Sequence, residues 1–279
     1  MKISIINKNS LVYRAIGFTL LLSFLLFASS LSYSEDVKNE NNALQKENHS
    51  NSLKELQVLA ERGIPEAQYL LGVAYVNGYA IAQDYQQAFK WFSKAAEQSN
   101  PDAQIGLGSM YLFGEGVPKD YQQAFKWYTK AAEQGNSKGQ YNLGLIYYFG
   151  KGIPQNYQKA FKWFYKAAEQ GLPAAQFNLG NMYRNGLSVA QDNRQAFKWF
   201  FKAAQQGHLG AQGNLGIMYG IGQGVPQDYV LSHMWFNIAG ANGDENAMKG
   251  RDIVAKKMTQ SQIEKAQLMA QEWIKKHRQ

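Results

Sequence analysis

Apolar and small side chains recur along most of this chain at intervals of three and four residues. One stretch, at residues 121–135, reads YQQAFKWYTKAAEQG. Spacings of three and four put such residues on one face of an α-helix. Asp120 stands at the N-cap position and Gly135 at the C-terminal stop, where these residue types are favoured. The apolar positions of the stretch are Ala124, Trp127, Tyr128, Ala131 and Ala132.

This helical pattern repeats at a constant interval of 36 residues. A weaker helix precedes each copy, carries a Leu-Gly pair such as Leu143 and Gly144, and ends in a glycine-containing turn. Such regularity is typical of solenoids, in which each helix pair buries its large side chains against its neighbours. The sequence therefore predicts an all-α solenoid of five helix-turn-helix repeats, at residues 64–99, 100–135, 136–171, 172–207 and 208–243. The tryptophans expected in the repeat core are Trp91, Trp127, Trp163, Trp199 and Trp235.

Both ends of the array are predicted to be caps. Residues 53–63 align with the second helix of a repeat but carry Glu55 in the tryptophan position, as suits a helix without an upstream neighbour. Residues 244–279 leave the 36-residue phase, and we expect capping helices there, with a capping box at Thr259 and Gln262. Residues 35–52 are polar and rich in asparagine, which predicts a flexible linker.

The first 34 residues have the composition of a signal peptide. Lys2, Lys8 and Arg14 precede a short apolar run at residues 18–28, and small residues follow. The alternative is an uncleaved anchor, but the apolar run is short compared with the ~20 residues that span a bilayer. We therefore expect export to the periplasm or the exterior, with no membrane contact after cleavage.

Composition excludes several classes of function. The chain has no cysteine, and its four histidines show no metal-ligand spacing, so we expect no metal and no cofactor. No nucleophile or phosphate-loop motif stands out from the repeats, so we expect no catalytic residues. The net charge is +8, and loss of the leader would lower it to +5, which is too small to argue for nucleic acid.

The repeat resembles a known family. The third copy, GQYNLGLIYYFGKGIPQNYQKAFKWFYKAAEQG, is similar to the Sel-one-like repeat, a longer relative of the tetratricopeptide repeat. The resemblance covers residues 64–243. It implies a right-handed superhelix of paired helices that binds other proteins and has no catalysis of its own. It also implies, for secreted bacterial members, roles in host interaction, envelope maintenance or signalling.

A partner-binding face is expected on the first helices, which line the concave side in tetratricopeptide arrays. These helices carry a second apolar stripe beside their core stripe, and the stripe thins in the fifth repeat to Gly213, Ile217 and Gly220. A helix that is apolar on two sides either exposes a sticky face or is buried twice, by tight coiling of the array. The stripe residues expected to contact a partner are Tyr69, Ile105, Tyr141, Leu145, Tyr148, Phe149, Phe177 and Arg184.

Three asparagines in phase extend that prediction. Asn142, Asn178 and Asn214 each precede a Leu-Gly pair, although asparagine is a poor residue inside a helix. An amide both donates and accepts hydrogen bonds, which suits the backbone of an extended peptide. The alternative is that each asparagine bonds a neighbouring helix. With the stripe, the asparagines predict a monomeric scaffold that binds protein or peptide partners.

Four lysine pairs on the second helices suggest a different function. Each pair is spaced by four residues and lies on one helix face. Such a face could hold peptidoglycan or an anionic membrane in a structural envelope component, whereas lysines near a helix C-terminus also favour the helix by themselves. The pairs are Lys90 and Lys94, Lys126 and Lys130, Lys162 and Lys166, and Lys198 and Lys202.

Overall fold

The computed structural model describes residues 44–277, with side-chain surroundings from residue 52 onward. All regular structure in this range is α-helical, and consecutive helices pack as pairs, as expected for an all-α solenoid of five repeats. The repeat helices are uniform, since each of the ten is 13 residues long. The predicted signal peptide at residues 1–34 lies outside the described residues. Within residues 44–277, no helix is both long and apolar enough to cross a bilayer.

The chain forms two compact units, and the first ends at residue 134. The described part of this N-terminal unit holds the N-terminal cap and two repeats. Helices α2 and α3 pair as the first repeat, α4 and α5 pair as the second, and α1 packs on α2. The helices are α1 Leu44–Glu61, α2 Pro65–Asn77, α3 Tyr85–Glu97, α4 Pro101–Phe113 and α5 Tyr121–Glu133.

The C-terminal unit holds the remaining three repeats and the C-terminal cap. Its repeat pairs are α6 with α7, α8 with α9, and α10 with α11, and both cap helices pack on α11. The helices are α6 Ser137–Phe149, α7 Tyr157–Glu169, α8 Pro173–Asn185, α9 Asn193–Gln205, α10 Leu209–Ile221, α11 Tyr229–Ala241, α12 Glu245–Ala255 and α13 Gln260–His277.

The predicted helix caps are confirmed. The Asp120 carboxylate accepts hydrogen bonds from the backbone N–H groups of Gln122 and Gln123 at 2.9 and 3.0 Å. These bonds satisfy donors that have no partner inside the helix. The same geometry recurs at the other predicted second-helix caps, Asp84, Asn156, Asp192 and Asp228.

The Leu-Gly pair sets the distance between the two helices of a repeat. A Cβ placed on Gly144 would lie 2.7 Å from the ring of Phe164, which is fully buried. The same contact joins Gly180 to the Phe200 ring at 2.6 Å. Glycine is therefore required sterically, because the aromatic ring occupies the volume of the missing side chain.

The innermost aromatic residue is the one that follows each tryptophan. Phe164 and Phe200 are fully buried, whereas the preceding Trp163 is only partly buried and Trp199 is 6% exposed. Trp127 is also partly buried but packs against the core of the N-terminal unit. Trp127 and Trp163 are therefore less enclosed than the other three tryptophans expected in the repeat core. Adjacent side chains on an α-helix point about 100° apart. The side chain that faces the glycine is that of the aromatic residue after the tryptophan, and not that of the tryptophan itself.

A buried glutamine network connects the helices of successive repeats. In the C-terminal unit, the Gln176 side chain donates to the Ala168 carbonyl at 3.2 Å and accepts from Gln206 at 2.9 Å. The buried amide thereby ties α8 to both α7 and α9. The matching glutamines of the other four repeats, which are also buried, are Gln68, Gln104, Gln140 and Gln212.

The two ends of the array differ in how well the sequence anticipated them. At the C-terminus, the capping box is confirmed: the Thr259 backbone N–H donates to Gln262 at 2.9 Å, and Gln262 returns a bond to Thr259 Oγ1 at 3.3 Å. At the N-terminus, Glu55 is exposed as expected. However, α1 begins at Leu44, so residues 44–52 belong to a helix instead of the expected linker. A packed helix extends readily into a polar segment because elongation is favourable once a turn exists.

Candidate functional site

The eleven residues predicted to bind a partner, here called the first-helix face, are all partly buried. Neighbouring aromatic rings account for much of this burial. In the N-terminal unit, Tyr69 stacks on Phe92 with ring centroids 5.8 Å apart. In the C-terminal unit, Tyr141 and Tyr148 both contact the buried Phe164, at 5.7 and 6.2 Å. The stripe therefore lies over the repeat core, with one side of each residue packed and the other accessible.

The three in-phase asparagines do not share one role. Asn214 donates to the Gly210 carbonyl at 2.7 Å, and its own side-chain oxygen accepts from Arg184. Asn178 lies 3.5 Å from the Tyr141 hydroxyl, at the outer limit for a hydrogen bond. Asn142 has no side-chain hydrogen bond to any residue between 44 and 277. Of the three amides, Asn142 is the one left available to a peptide.

The fifth repeat opens a groove in the C-terminal unit. Gly213 occupies the position that Tyr69, Tyr141 and Phe177 hold in other repeats. Without that side chain, a groove of about 360 Å³ forms between α10 and α12, and Phe236, which is only 6% exposed, belongs to its lining. The groove is lined by Gly210, Gly213, Asn214, Ile217, Phe236, Asp244, Asn246, Ala247, Lys249, Gly250 and Ile253. The sequence indicates only that the stripe thins here, and the concave surface is seen in the structure alone.

Large apolar side chains stand exposed around this groove. Ile217 is 47% exposed, Ile253 is 61% exposed, and Ile221, one turn beyond Ile217, is 63% exposed. Single exposed aliphatic residues are ordinary, but a cluster beside a concave apolar surface is typical of interaction sites.

Charged and titratable groups at the groove are few. Asp244 caps α12 by accepting from the N–H groups of Asn246 and Ala247 at 3.0 and 3.1 Å. His208 caps α10 through Nδ1, which accepts from Ala211 N–H at 3.2 Å. Its ring stacks on Phe177 with centroids 4.4 Å apart. Burial lowers the pKa of His208 to about 4, so the imidazole is neutral at pH 7.

The lysine pairs are divided between two roles. Both lysines of every pair are exposed, and the second lysine also places its ammonium over the indole three residues earlier. A cation over an indole face is attracted by the ring quadrupole. The Trp-x-x-Lys spacing in four repeats is the sequence signal of this contact. The nitrogen-to-centroid distances are 4.4 Å for Lys94 and Trp91, 4.2 Å for Lys130 and Trp127, 4.5 Å for Lys166 and Trp163, and 4.3 Å for Lys202 and Trp199.

Side chains that could ligate a metal are scattered in the part of the chain that the structure describes. Across residues 44–277, no three Asp, Glu, His or Cys side chains lie close enough together to hold a metal ion. His233 is buried near Arg251, and both burial and that charge lower its pKa. Its ring contacts Asn237 at 3.2 Å and does not line the groove. The features of the site are those of a binding surface.

Comparisons with known proteins agree with the repeat geometry. The family model described as Sel1 repeat matches residues 65–100, 101–136, 137–172, 173–208 and 210–244. No curated protein sequence matches the chain significantly. Among solved structures, a Sel1 repeat protein from Oxalobacter formigenes is 32% identical with a TM-score of 0.69, over 84% of this chain and 64% of that one.

A second solved structure comes from a pathogen. It is c5321, a protective antigen present in uropathogenic Escherichia coli strains, which is 35% identical with a TM-score of 0.55. The match covers 82% of this chain and 57% of that one. The chain thus spans roughly three-fifths of the length of each of these two relatives. With five matched repeats that coincide with five observed helix pairs, the chain belongs to the Sel1 repeat family.

Proposed function

We propose that this chain is an exported, non-catalytic scaffold that binds partner proteins through its first-helix face and through the groove of its fifth repeat. Sel1 repeats generally mediate protein–protein interactions, which supports the general class. The observation that carries the proposal is the groove itself, whose lining combines Phe236 with the exposed Ile217 and Ile253. Aliphatic and aromatic anchors in a concave surface supply most of the energy of protein association.

The proposal is tested by capturing partners with the purified chain as bait and identifying them by mass spectrometry. We expect the double variant Ile217→Asp and Ile253→Asp to lose the captured partner. Asn142→Ala should weaken capture through the first-helix face, because it removes an amide that is available to a partner. The substitution breaks no side-chain hydrogen bond between residues 52 and 277. The control is Leu268→Asp on α13, which changes a residue 57% exposed and outside the groove. Capture that survives the double variant contradicts the proposal.

Export is the second part of the proposal. It is supported by the basic and apolar leader at residues 1–34 and by the similarity to c5321, which is described as a protective antigen. Contact with a host is the setting that we propose for this chain. Cell fractionation and N-terminal sequencing of the mature chain test this part; full-length chain confined to the cytoplasm would contradict it.

The alternative, a structural envelope component with a basic face, makes a different prediction. Its charges would be the eight exposed lysines of the pairs, of which the first lysines can be replaced without removing an indole contact. Binding to peptidoglycan or to vesicles of anionic lipid would then fade as salt rises. It would be lost on replacing Lys90, Lys126, Lys162 and Lys198 by glutamate, and it would be unaffected by the groove variants.

A further inference from the structure

The partner's chemistry is suggested by Arg184, the cation of the first-helix face. It occupies the last turn of α8, in a position where the other repeats carry no charge. Those residues are Val76, Leu112, Tyr148 and Gly220. Repetition therefore does not account for Arg184. A cation in the last turn complements the helix dipole, but that role requires none of the side-chain contacts that hold this guanidinium.

The guanidinium of Arg184 is held in place but is not neutralised. Nη1 donates to Asn214 Oδ1, Nη2 donates to Asn181 Oδ1 at 2.8 Å, and the group lies 5.5 Å from the Phe200 ring centroid. No Asp or Glu between residues 52 and 277 lies within 4.0 Å of it. Loss of hydration at this half-buried position lowers the pKa of Arg184. A partly desolvated cation without a counter-ion is unfavourable until an anion arrives.

Arg184 is joined to the groove through Asn214, which accepts its hydrogen bond and also lines the groove wall. Lys249 lines the same groove and adds positive charge. The negative group of the lining, Asp244, already has one carboxylate oxygen committed to the cap of α12. Asp252, on the same helix, is paired with Arg251 at 2.8 Å. Asp244 keeps its negative charge and balances Lys249 within the lining. Arg184, which has no carboxylate partner among residues 52–277, therefore gives the site an excess of positive charge that favours an acidic ligand beside the apolar lining.

We propose that the occupant of the groove is a segment of a partner protein that places an acidic side chain on Arg184 and neighbouring aliphatic or aromatic side chains on Phe236, Ile217 and Ile253. This inference rests on the proposed function and specifies its partner. Arginine binds carboxylates with two parallel hydrogen bonds, which gives the site directional specificity as well as charge complementarity. The apolar side chains of the segment would fill the space left by Gly213.

The proposal is tested with a random dodecapeptide library displayed on phage and panned against the purified chain. We expect the enriched peptides to combine Asp or Glu with aliphatic or aromatic residues. Synthetic copies should lose about tenfold or more in affinity against Arg184→Leu, because an ion pair shielded from water is removed. Leucine occupies this position in the second repeat as Leu112, so the variant is compatible with the fold. The control Arg194→Leu removes an exposed arginine from α9 and should leave affinity unchanged.

A second variant separates loss of the site from loss of the fold. Gly213→Tyr restores the side chain found in the first and third repeats and should fill the groove. Its Cβ would lie 3.3 Å from Asp244 Oδ2, so the Asp244 side chain has to shift by a few tenths of an ångström and the repeat is preserved. We expect it to abolish peptide binding without lowering the midpoint of thermal unfolding. Failure to enrich any peptide, enriched peptides without acidic residues, or equal affinity for Arg184→Leu each overturns this inference. Partner capture that is lost with Ile217→Asp and Ile253→Asp but retained with Arg184→Leu would overturn this inference alone and leave the proposed function standing.

Discussion

Asn242 donates its side-chain amide to the Ile238 carbonyl at 3.0 Å and makes no bond to Gln212, whose Oε1 is buried without a hydrogen-bond partner. In the preceding repeat, Gln206 stands in the position of Asn242 and reaches Gln176 Oε1 at 2.9 Å. Asparagine is shorter than glutamine by one methylene group. The glutamine network of the C-terminal unit therefore ends with one unsatisfied acceptor.

We expect Asn242→Gln to raise the free energy of unfolding by about 1–2 kcal/mol, because it supplies the missing donor to a buried acceptor. Urea unfolding monitored by circular dichroism measures the change. The matched control is Gln206→Asn, which should destabilise the chain by a similar amount by creating the same vacancy at Gln176. If both substitutions are neutral, the buried glutamines contribute no net stability.

Phe164 should be more important for stability than its neighbour Trp163. Phe164 is fully buried against Gly144, whereas Trp163 is partly buried. We therefore expect Phe164→Ala to cost about 3–5 kcal/mol, as for other large-to-small changes in a core. Trp163→Ala should cost less, because part of the indole remains accessible to water in the folded chain. Thermal unfolding of the two variants side by side measures the difference, and a larger loss for Trp163→Ala would contradict the burial seen here.

The features that the sequence predicted correctly are those that depend on residue types at fixed spacings along the chain. Caps such as Asp120 and the Thr259–Gln262 box require particular residue types at fixed offsets, so they are legible in one sequence. The repeat interval can also be recognised in the sequence, because stacked helix pairs repeat their contacts and therefore repeat the residues that make them. The rotation of a helix about its own axis is not determined by nearby residues in the sequence, because it depends on the position of the glycine on the facing helix. That is why Phe164 could not be ranked above Trp163 in advance.

The candidate site was predicted only in part. The first-helix face was located from the aromatic stripe, but its degree of burial depends on neighbouring rings such as Phe92 beneath Tyr69. The groove was harder to foresee because it follows from an absent side chain at Gly213. The buried glutamines also escaped notice, although Gln176 and Gln206 recur in phase in other repeats. Polar residues are expected outside, so the exception is recognised only when burial is known.

The contact between Lys130 and Trp127 is expected to contribute measurably to stability. The ammonium lies 4.2 Å from the ring centroid of a partly buried indole. We expect Lys130→Gln to cost roughly 0.5–1 kcal/mol, the range for a cation over an aromatic ring at an accessible site. The control Lys126→Gln changes an exposed lysine on the same helix with no ring contact among residues 44–277. Equal effects of the two variants on urea unfolding would argue against the contact.

Ser188 and Gly224 occupy the same position in the turns of the fourth and fifth repeats. Replacing Ser188 by glycine and Gly224 by serine should change the stability of the chain in opposite directions. Ser188 has a φ of 65°, where a side chain is disfavoured by about 1–2 kcal/mol. We expect Ser188→Gly to stabilise the chain by a part of that amount, since glycine also gains freedom in the unfolded state.

Gly224→Ser should be clearly destabilising instead. A Cβ at Gly224 would lie 2.2 Å from the backbone carbonyl oxygen of Asn193, in addition to the strain of a φ of 73°. Backbone atoms cannot move aside as the end of a flexible side chain can. The midpoint of thermal unfolding should therefore rise for Ser188→Gly and fall for Gly224→Ser, and a fall in both would show that the serine turn is not strained.

His208 should make stability depend on pH in the mildly acidic range. Its Nδ1 accepts the Ala211 N–H, and an imidazolium cannot accept that bond. Because burial lowers the pKa to about 4 from 6.5, the unfolded chain binds the proton more tightly. Stability from this group is therefore complete above pH 6.5 and is lost as the pH falls towards 4, by at most about 3 kcal/mol.

The control for this pH dependence is His208→Asn, which keeps a capping side chain of the kind that Asn100 and Asn136 supply in the second and third repeats. Asparagine does not titrate, so other acid-sensitive groups, including the buried His233, are common to both proteins and cancel in the difference. We expect the stability of the native chain relative to His208→Asn to fall between pH 7 and pH 4. A constant difference, measured by urea unfolding across that range, would show that His208 titrates normally and does not act as a neutral cap.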